Sequence, residues 1–188
     1  HSEFEQYAQD VILYHDLDRL DFVTRVFDWG TKAHRLLKVA FPLDLVNEQQ
    51  LVTTEIPYGT ITRVLDGSVA NWEFAGHKWA DIAENFDADK VEGPGVALLA
   101  RDKYGYDVFN DGPGEGLSDG AANVLRLTLL KSATSPLYLL PESGGPVTDR
   151  GDFEMPYALH PHAGNALDEN MLRYGYEYYA PVMVRFYD

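Results

Sequence analysis

Apolar and polar residues alternate with a period of two over much of this chain. The pattern appears at residues 20–26, is strongest at 37–45, and continues at 52–62. Because side chains of a strand point alternately to its two faces, each segment predicts a half-buried β-strand. Pro42 lies within the second strand and cannot donate to a neighbouring strand. That strand is therefore predicted at a sheet edge or at a bulge.

Further segments extend the β pattern to the end of the chain. Continuous apolar runs at 95–99 and 124–131 predict buried strands, alternation at 153–162 predicts another, and residues 182–186 predict a last one. Residues 168–179 predict the one short helix. The expected fold class is therefore all-β, an antiparallel sandwich with at most one short helix. Six of its side chains are expected to be buried: Leu37, Val39, Phe41, Leu98, Leu127 and Leu129.

Composition narrows the classes of function. The chain has 188 residues, which fits a single domain over 1–188, and it has no cysteine. Disulfides and thiolate metal sites are thus excluded, and a reducing cytoplasm is the expected compartment. The net charge of −15 disfavours nucleic acid and anionic membranes as partners. No apolar run reaches the roughly 20 residues of a membrane span, and no signal peptide is expected. A neutral ligand such as a sugar is compatible with this surface.

The candidate chemistry is concentrated between residues 72 and 107. Two apolar runs in this region each end in charged and aromatic residues, the pattern of strands that deliver loops to the surface. Trp72 and Trp79 lie within apolar runs and are expected in the core. Tyr104 and Tyr106 flank Gly105 at a predicted turn and are the more exposed pair. The residues around this turn are the first candidates for ligand contact.

Histidines and carboxylates give weaker signals. His160 and His162 lie at i and i+2 on one strand face, but no third ligand is marked, so zinc binding is not favoured. His77 and Asp81 are spaced for an acid–base pair, although a packed core histidine is the favoured interpretation. Glycosidase chemistry needs two carboxylates a few ångströms apart. Among 30 acidic residues the sequence does not single out such a pair.

Several ordered motifs carry a resemblance to a known family. The motifs are WExxxHKWAD at 72–81, GVALL at 95–99 and DKYGYD at 102–107, with EIPYGT at 55–60 and YALHPHAG at 157–164. Together they resemble the C-terminal β-domain of glycoside hydrolase family 38, the α-mannosidases. The resemblance implies a β-supersandwich similar to galactose-mutarotase-like domains. It also implies that the chain is a C-terminal fragment of a larger α-mannosidase.

The resemblance assigns the bond-breaking chemistry to another part of such an enzyme. The family's nucleophile and its zinc, held by His and Asp ligands, belong to an N-terminal α/β domain without a counterpart here. No catalytic residue and no metal ligand is therefore carried onto this chain, and the isolated chain is expected to be inactive. Its expected partners are that catalytic domain and a mannose-containing carbohydrate. The candidate substrate-binding residues are Asp102, Lys103, Tyr104, Tyr106 and Asp107.

Two alternatives from other classes remain open. One is a free-standing carbohydrate-binding module, which an exposed aromatic platform would favour. The other is a mutarotase-like epimerase that uses His77 or His160 as acid or base, which a pocket joining a histidine to a carboxylate would favour.

Overall fold

The computed structural model describes nine segments of the chain: residues 6–30, 35–45, 51–65, 73–84, 93–109, 123–133, 148–164, 169–180 and 182–186. These segments contain eleven strands and one helix. The elements are β1 (Gln6–Leu13), β2 (Leu20–Trp29), β3 (Arg35–Leu43), β4 (Leu51–Ile56), β5 (Gly59–Val64), β6 (Phe74–Ala75), β7 (Trp79–Ala83), β8 (Pro94–Ala100), β9 (Gly105–Phe109), β10 (Asn123–Ser132), β11 (Gly151–Ala163) and α1 (Glu169–Tyr179).

The strands form two antiparallel sheets. The larger sheet has the order β1-β2-β11-β8-β7-β4-β5, and the smaller has the order β3-β10-β9-β6. Their facing sides bury one apolar core, in which Phe22, Phe41 and Tyr157 pack ring against ring with centroids 5.3–6.2 Å apart. The expectation of an all-β antiparallel sandwich with one short helix is confirmed.

The second predicted strand lies at an edge, as its proline requires. β3 is the outer strand of the smaller sheet, and Pro42 stands opposite Val124 of β10. An edge strand is covered on one side only, and this limits its burial. The three expected core residues of β3 are therefore only partly buried against the core: Leu37, Val39 and Phe41. The other three are buried as expected: Leu98, Leu127 and Leu129.

The third predicted strand is wrong as a single element. Residues 51–64 form a hairpin, in which β4 and β5 pair from Ile56 with Gly59 to Leu51 with Val64. The two residues between the strands are Pro57 and Tyr58, and Tyr58 has a left-handed φ of 66°. A proline followed by a residue of positive φ is the combination found in type II turns, and it reverses the chain.

The last predicted strand is also wrong. Residues 182–186 belong to neither sheet, and their apolar side chains are exposed. The alternation at Val182, Val184 and Phe186 thus has no partner strand within the described residues. Trp72 of the candidate region lies outside the described residues.

The helix lies on the outer face of the larger sheet. Met171 and Tyr178 of α1 pack on a second apolar cluster that contains Trp79, Leu99 and Ala158. This face is formed by alternate residues of β7, β8 and β11, the ones that point away from the main core. Within the described segments, no helix combines the length and the hydropathy that crossing a membrane requires.

Gly175 allows this helix to approach the sheet closely. A Cβ atom at position 175 would lie 2.5 Å from Cδ1 and 2.8 Å from Nε1 of Trp79, whose ring is fully buried. Alanine in a helix is normally about 1 kcal/mol better than glycine. Here we expect Gly175→Ala to destabilise the chain by about 1–2 kcal/mol, because overpacking a filled site costs about 1–3 kcal/mol.

Urea unfolding of the isolated chain measures this effect. Glu177→Ala, on the exposed side of the same helix, is the control and should change the unfolding free energy by no more than about 0.5 kcal/mol. A Gly175→Ala variant more stable than the wild type would show that the close approach does not matter.

Candidate functional site

The candidate loop lies at one end of the sandwich. β8 ends at Ala100 and β9 begins at Gly105, so the connection is the short segment 101–104. The amide of Gly76 donates to the carbonyl oxygen of Tyr104 at 3.0 Å, and the amide of Ala100 donates to that of Lys78 at 2.8 Å. These two bonds fix the loop beside the connection between β6 and β7.

The five candidate residues divide into two groups. Asp102 and Tyr104 are exposed, with 52% of Tyr104 accessible, and Lys103 is half-buried. Tyr106 and Asp107 belong to β9 and are both fully buried. Their neighbouring positions on a strand send the two side chains to opposite faces of the smaller sheet. In this structure the loop offers Asp102, Lys103 and Tyr104 to the surroundings.

Asp107 is the centre of a charge cluster on the outer face of the smaller sheet. Its Oδ2 accepts from Nζ of Lys38 at 2.5 Å, and its Oδ1 accepts from Nε of Arg126. Lys38 also donates to Glu73 at 2.5 Å. This hydrogen bond is the main reason that the pKa of Glu73 lies below its ordinary value, and the charge of Lys38 adds to the effect. Two cations therefore cover one carboxylate that water does not reach, and they tie β9 to β3 and β10.

A second ion pair joins the hairpin to the β6–β7 connection. Nζ of Lys78 donates to Oε1 of Glu55 at 2.7 Å, and the side chains are only 13% and 4% exposed. Burial alone lowers the pKa of Lys78, but the hydrogen bond and charge of Glu55 outweigh it, so the pKa lies above its ordinary value. The ammonium also lies 4.5 Å and 5.2 Å from the ring centroids of Tyr176 and Tyr179. It is thus held between a carboxylate and two aromatic faces at the end of α1.

Tyr106 lies beneath this end of the sandwich. The pKa of the Tyr106 hydroxyl lies above its ordinary range, mainly because the group is buried and also because Glu55 is negatively charged. Within the described segments, neither that hydroxyl nor Oε2 of Glu55 has a hydrogen-bond partner. His77 completes the surroundings, since its amide donates to the Glu55 carbonyl at 2.9 Å and its ring meets Tyr104 edge-on at 6.1 Å.

The two histidines His160 and His162 lie elsewhere, on β11 of the larger sheet, and their rings stack at 5.9 Å. Nε2 of His162 donates to Oδ2 of Asp81 at 2.5 Å. β11 and β7 lie on either side of β8, and Gly95 of β8 leaves the space through which the imidazole reaches the carboxylate. Asp81 is thus paired with His162, whereas the sequence spacing suggested His77.

His160 is held as a structural histidine. Its Nδ1 donates to the carbonyl oxygen of Asp18 at 2.6 Å, and its ring lies 4.2 Å from that of Tyr174. Burial lowers the pKa of His160, opposed in part by that hydrogen bond. The neutral imidazole therefore packs under the helix at neutral pH. Among the described residues, no group of three or more His, Cys, Asp or Glu side chains is arranged to hold a metal ion.

The fold and one end of the sandwich characterise the protein. The chain forms an antiparallel β-sandwich with one end built from a hairpin, two loops and a helix terminus, and that end carries exposed aromatic and charged groups. The chain belongs to glycosyl hydrolases family 38, since the model of that family's C-terminal domain matches residues 1–138.

Curated relatives agree with the family. Alpha-mannosidase G of Dictyostelium discoideum is 31% identical over 173 residues, which are 89% of this chain and 13% of that protein. Alpha-mannosidase 2C1 of Homo sapiens is 29% identical over 181 residues, 94% of this chain and 14% of that protein. Alpha-mannosidase of Saccharomyces cerevisiae is 28% identical over 166 residues, 86% and 12% respectively. The chain therefore spans about one-seventh of the length of these relatives, or slightly less.

Solved structures agree with the fold. A glycosyl hydrolase family 38 protein from Enterococcus faecalis superposes with a TM-score of 0.65 at 16% identity, over 93% of this chain and 18% of that one. An alpha-mannosidase from Enterococcus faecalis V583 gives the same values. At this level of identity the likeness concerns the fold alone.

Sequence reasoning missed the residues that hold the site together. Two sets of ion pairs fix the candidate loop and its surroundings. Asp107 pairs with Lys38 and Arg126, and Glu55 pairs with Lys78. Lys38 and Arg126 stand at outward positions of otherwise apolar strands, which is a usable signal. The register that brings them to Asp107, 69 and 19 residues away, has no signature in a single sequence.

Proposed function

We propose that this chain is the C-terminal β-domain of an α-mannosidase, which supports the catalytic domain and contributes the loop 102–107 to its sugar site. The observation that carries the proposal is the match of residues 1–138 to the C-terminal domain of family 38. The partial coverage of the α-mannosidase relatives supports it, because it leaves most of such an enzyme for a catalytic domain in the same polypeptide. The nucleophile and the zinc that the family resemblance implies would reside in that domain.

In this proposal the candidate residues have two roles. Asp102, Lys103 and Tyr104 are the groups that reach a mannose unit, by hydrogen bonds and by contact with the tyrosine ring. Asp107 and Tyr106 hold the loop from within β9. A loop supported by a rigid strand keeps its contact groups in a fixed geometry, and this increases binding and orientation without bond breaking.

A cytoplasmic location remains part of the proposal, and so does mannose-containing carbohydrate as the ligand. The acidic, cysteine-free composition supports both, because it suits a reducing compartment and a neutral ligand.

An epimerase is the second candidate, because Asp81 and His162 form a carboxylate–imidazole pair of the kind that acid–base catalysis uses. The pair is shielded from water, with the His162 side chain only 12% exposed and that of Asp81 fully buried. The family match favours the mannosidase. Mutarotation of free sugars by the isolated chain, abolished by His162→Gln, would favour the epimerase.

The loop is tested by Tyr104→Ala in the full-length parent enzyme. We expect kcat/KM for an aryl α-mannoside to fall at least about tenfold, which corresponds to roughly 1.4 kcal/mol of transition-state binding. Tyr104 is half-exposed, so the melting temperature of the isolated chain should not change.

Tyr14→Ala is the matched control. Tyr14 is 44% exposed and lies in the β1–β2 connection, and β1 is three strands away from β8 in the larger sheet. If both variants keep the wild-type kcat/KM, the loop is only a turn and does not contribute to the sugar site.

A further inference from the structure

The turn of the β4–β5 hairpin holds a tyrosine in an unfavourable conformation. Tyr58 has a φ of 66°, which lies in the left-handed region. Glycine and asparagine adopt this region readily, whereas bulky residues rarely do. Its side chain is fully exposed, at 107% of the reference area. Among the described residues, the ring therefore has no packing contact that would offset the strain. Strained positions of this kind concentrate where a protein contacts something else.

The hairpin ends beside the candidate loop. Glu55 lies three residues before Tyr58. Its carboxylate accepts a hydrogen bond from the ammonium of Lys78, and its backbone carbonyl accepts one from the amide of His77. Lys78 in turn lies against Tyr176 and Tyr179 of α1. The hairpin, the β6–β7 connection, the loop 101–104 and the end of α1 therefore share one end of the sandwich.

Exposed tyrosines are gathered at this end, which we call the tyrosine end. Its four members are Tyr58, Tyr104, Tyr176 and Tyr179, with accessible fractions from 42% to 107%. Glu55 and Lys78, which lie between the hairpin and the end of α1, neutralise each other, and Asp102 and Lys103 of the neighbouring loop carry opposite charges. Tyrosine is enriched at the centres of protein interfaces, because its ring buries a large area while its hydroxyl keeps a polar partner.

We infer that the tyrosine end docks on the catalytic domain of the parent polypeptide, with Tyr58 as the anchor that fills a pocket of that domain. The inference rests on the proposed function, which supplies the partner. Two observations favour a protein partner over a sugar for Tyr58. A single ring projecting from a rigid turn suits insertion into a pocket better than a flat stacking platform. The relatives also contain some six-sevenths of their length beyond the part that this chain matches.

Because Tyr58 is strained, replacing it should affect the isolated chain and the full-length parent differently. In the isolated chain, Tyr58→Asn should leave the melting temperature unchanged or raise it, because asparagine tolerates positive φ and no packing is lost. In the full-length parent, the same change removes the anchor. We then expect this domain to unfold in a separate transition, or the single transition to fall by at least about 3 °C in calorimetry.

Two controls accompany the variant. Tyr58→Phe keeps the ring and should stay within about 1 °C of the wild-type parent. Tyr14→Asn removes an exposed tyrosine in the β1–β2 connection, on the side of the larger sheet opposite to the β4–β5 hairpin, and should have no effect on the parent.

Three results would overturn the inference. The parent could melt like the wild type in spite of Tyr58→Asn. The isolated chain could lose as much thermal stability as the parent, which would make Tyr58 a structural residue of this domain. The variant could raise KM for a mannoside at unchanged melting temperature, which would make Tyr58 a sugar contact. Calorimetry does not depend on mannosidase activity, so failure of docking and failure of the proposed function are read separately.

Discussion

Replacing Asp107 with alanine should destabilise the isolated chain by about 3–5 kcal/mol. Asp107 is fully buried and accepts hydrogen bonds from both Lys38 and Arg126, which are themselves only 16% and 21% exposed. Removing the carboxylate leaves the Arg126 guanidinium without its carboxylate partner and Lys38 with Glu73 alone, in a place with little access to water. The cost of such uncompensated charges exceeds the modest net gain that an ion pair normally provides.

The measurement is urea unfolding of the isolated chain, with two comparisons. Asp10→Ala removes an exposed carboxylate that pairs with Arg25, and it should cost no more than about 1 kcal/mol. Asp107→Asn keeps the shape and some hydrogen bonding without the charge, and it should fall between the two. Equal effects of Asp107→Ala and Asp10→Ala would mean that the buried cluster does not stabilise the fold.

The same cluster determines how activity data on the loop are interpreted. Loss of activity on changing Asp107 in the parent enzyme would report unfolding of β9 as well as any contact with the sugar. Tyr104 does not have this ambiguity, since its ring is half-exposed and its position is fixed by a backbone hydrogen bond from Gly76. Tyr104→Ala is therefore the informative variant for binding.

The strands were predictable wherever one face is apolar. Alternation identifies β2 through Leu20, Phe22 and Val26. Of the two places that Pro42 allows for β3, an edge or a bulge, the structure has the edge. The hairpin at 51–64 was not recognised, because its threonines fit either face of a strand. Thr53 and Thr62 share a hydrogen bond of 2.9 Å across the hairpin, whereas a period of two along one long strand would place them on opposite faces.

The position of the candidate loop was predictable, but the side chains that it exposes were not. Charged and aromatic residues after the apolar run at 95–99 indicate a loop at 102–107, and the structure has its turn at 101–104. Which of those residues face outward depends on where β9 begins and on side chains from β3 and β10. The pairing of Asp81 with His162 likewise depends on a contact across 81 residues, for which local spacing gives no guide.

The central proposal is that this chain is a domain of an α-mannosidase and does not carry the catalytic apparatus of that enzyme. Retaining glycoside hydrolysis needs a nucleophile and an acid about 5 Å apart on either side of the scissile bond. The family resemblance assigns both to another domain. Removing such groups from an enzyme typically costs several orders of magnitude in rate.

The direct measurement is hydrolysis of an aryl α-mannoside by the isolated 188-residue chain and by the full-length parent, at equal molar concentration. The account predicts that the parent is active and that the isolated chain is at least about a thousandfold slower. Comparable rates from the two proteins would contradict the claim that this domain is non-catalytic. A full-length parent that does not hydrolyse α-mannosides would contradict the claim that the domain serves an α-mannosidase.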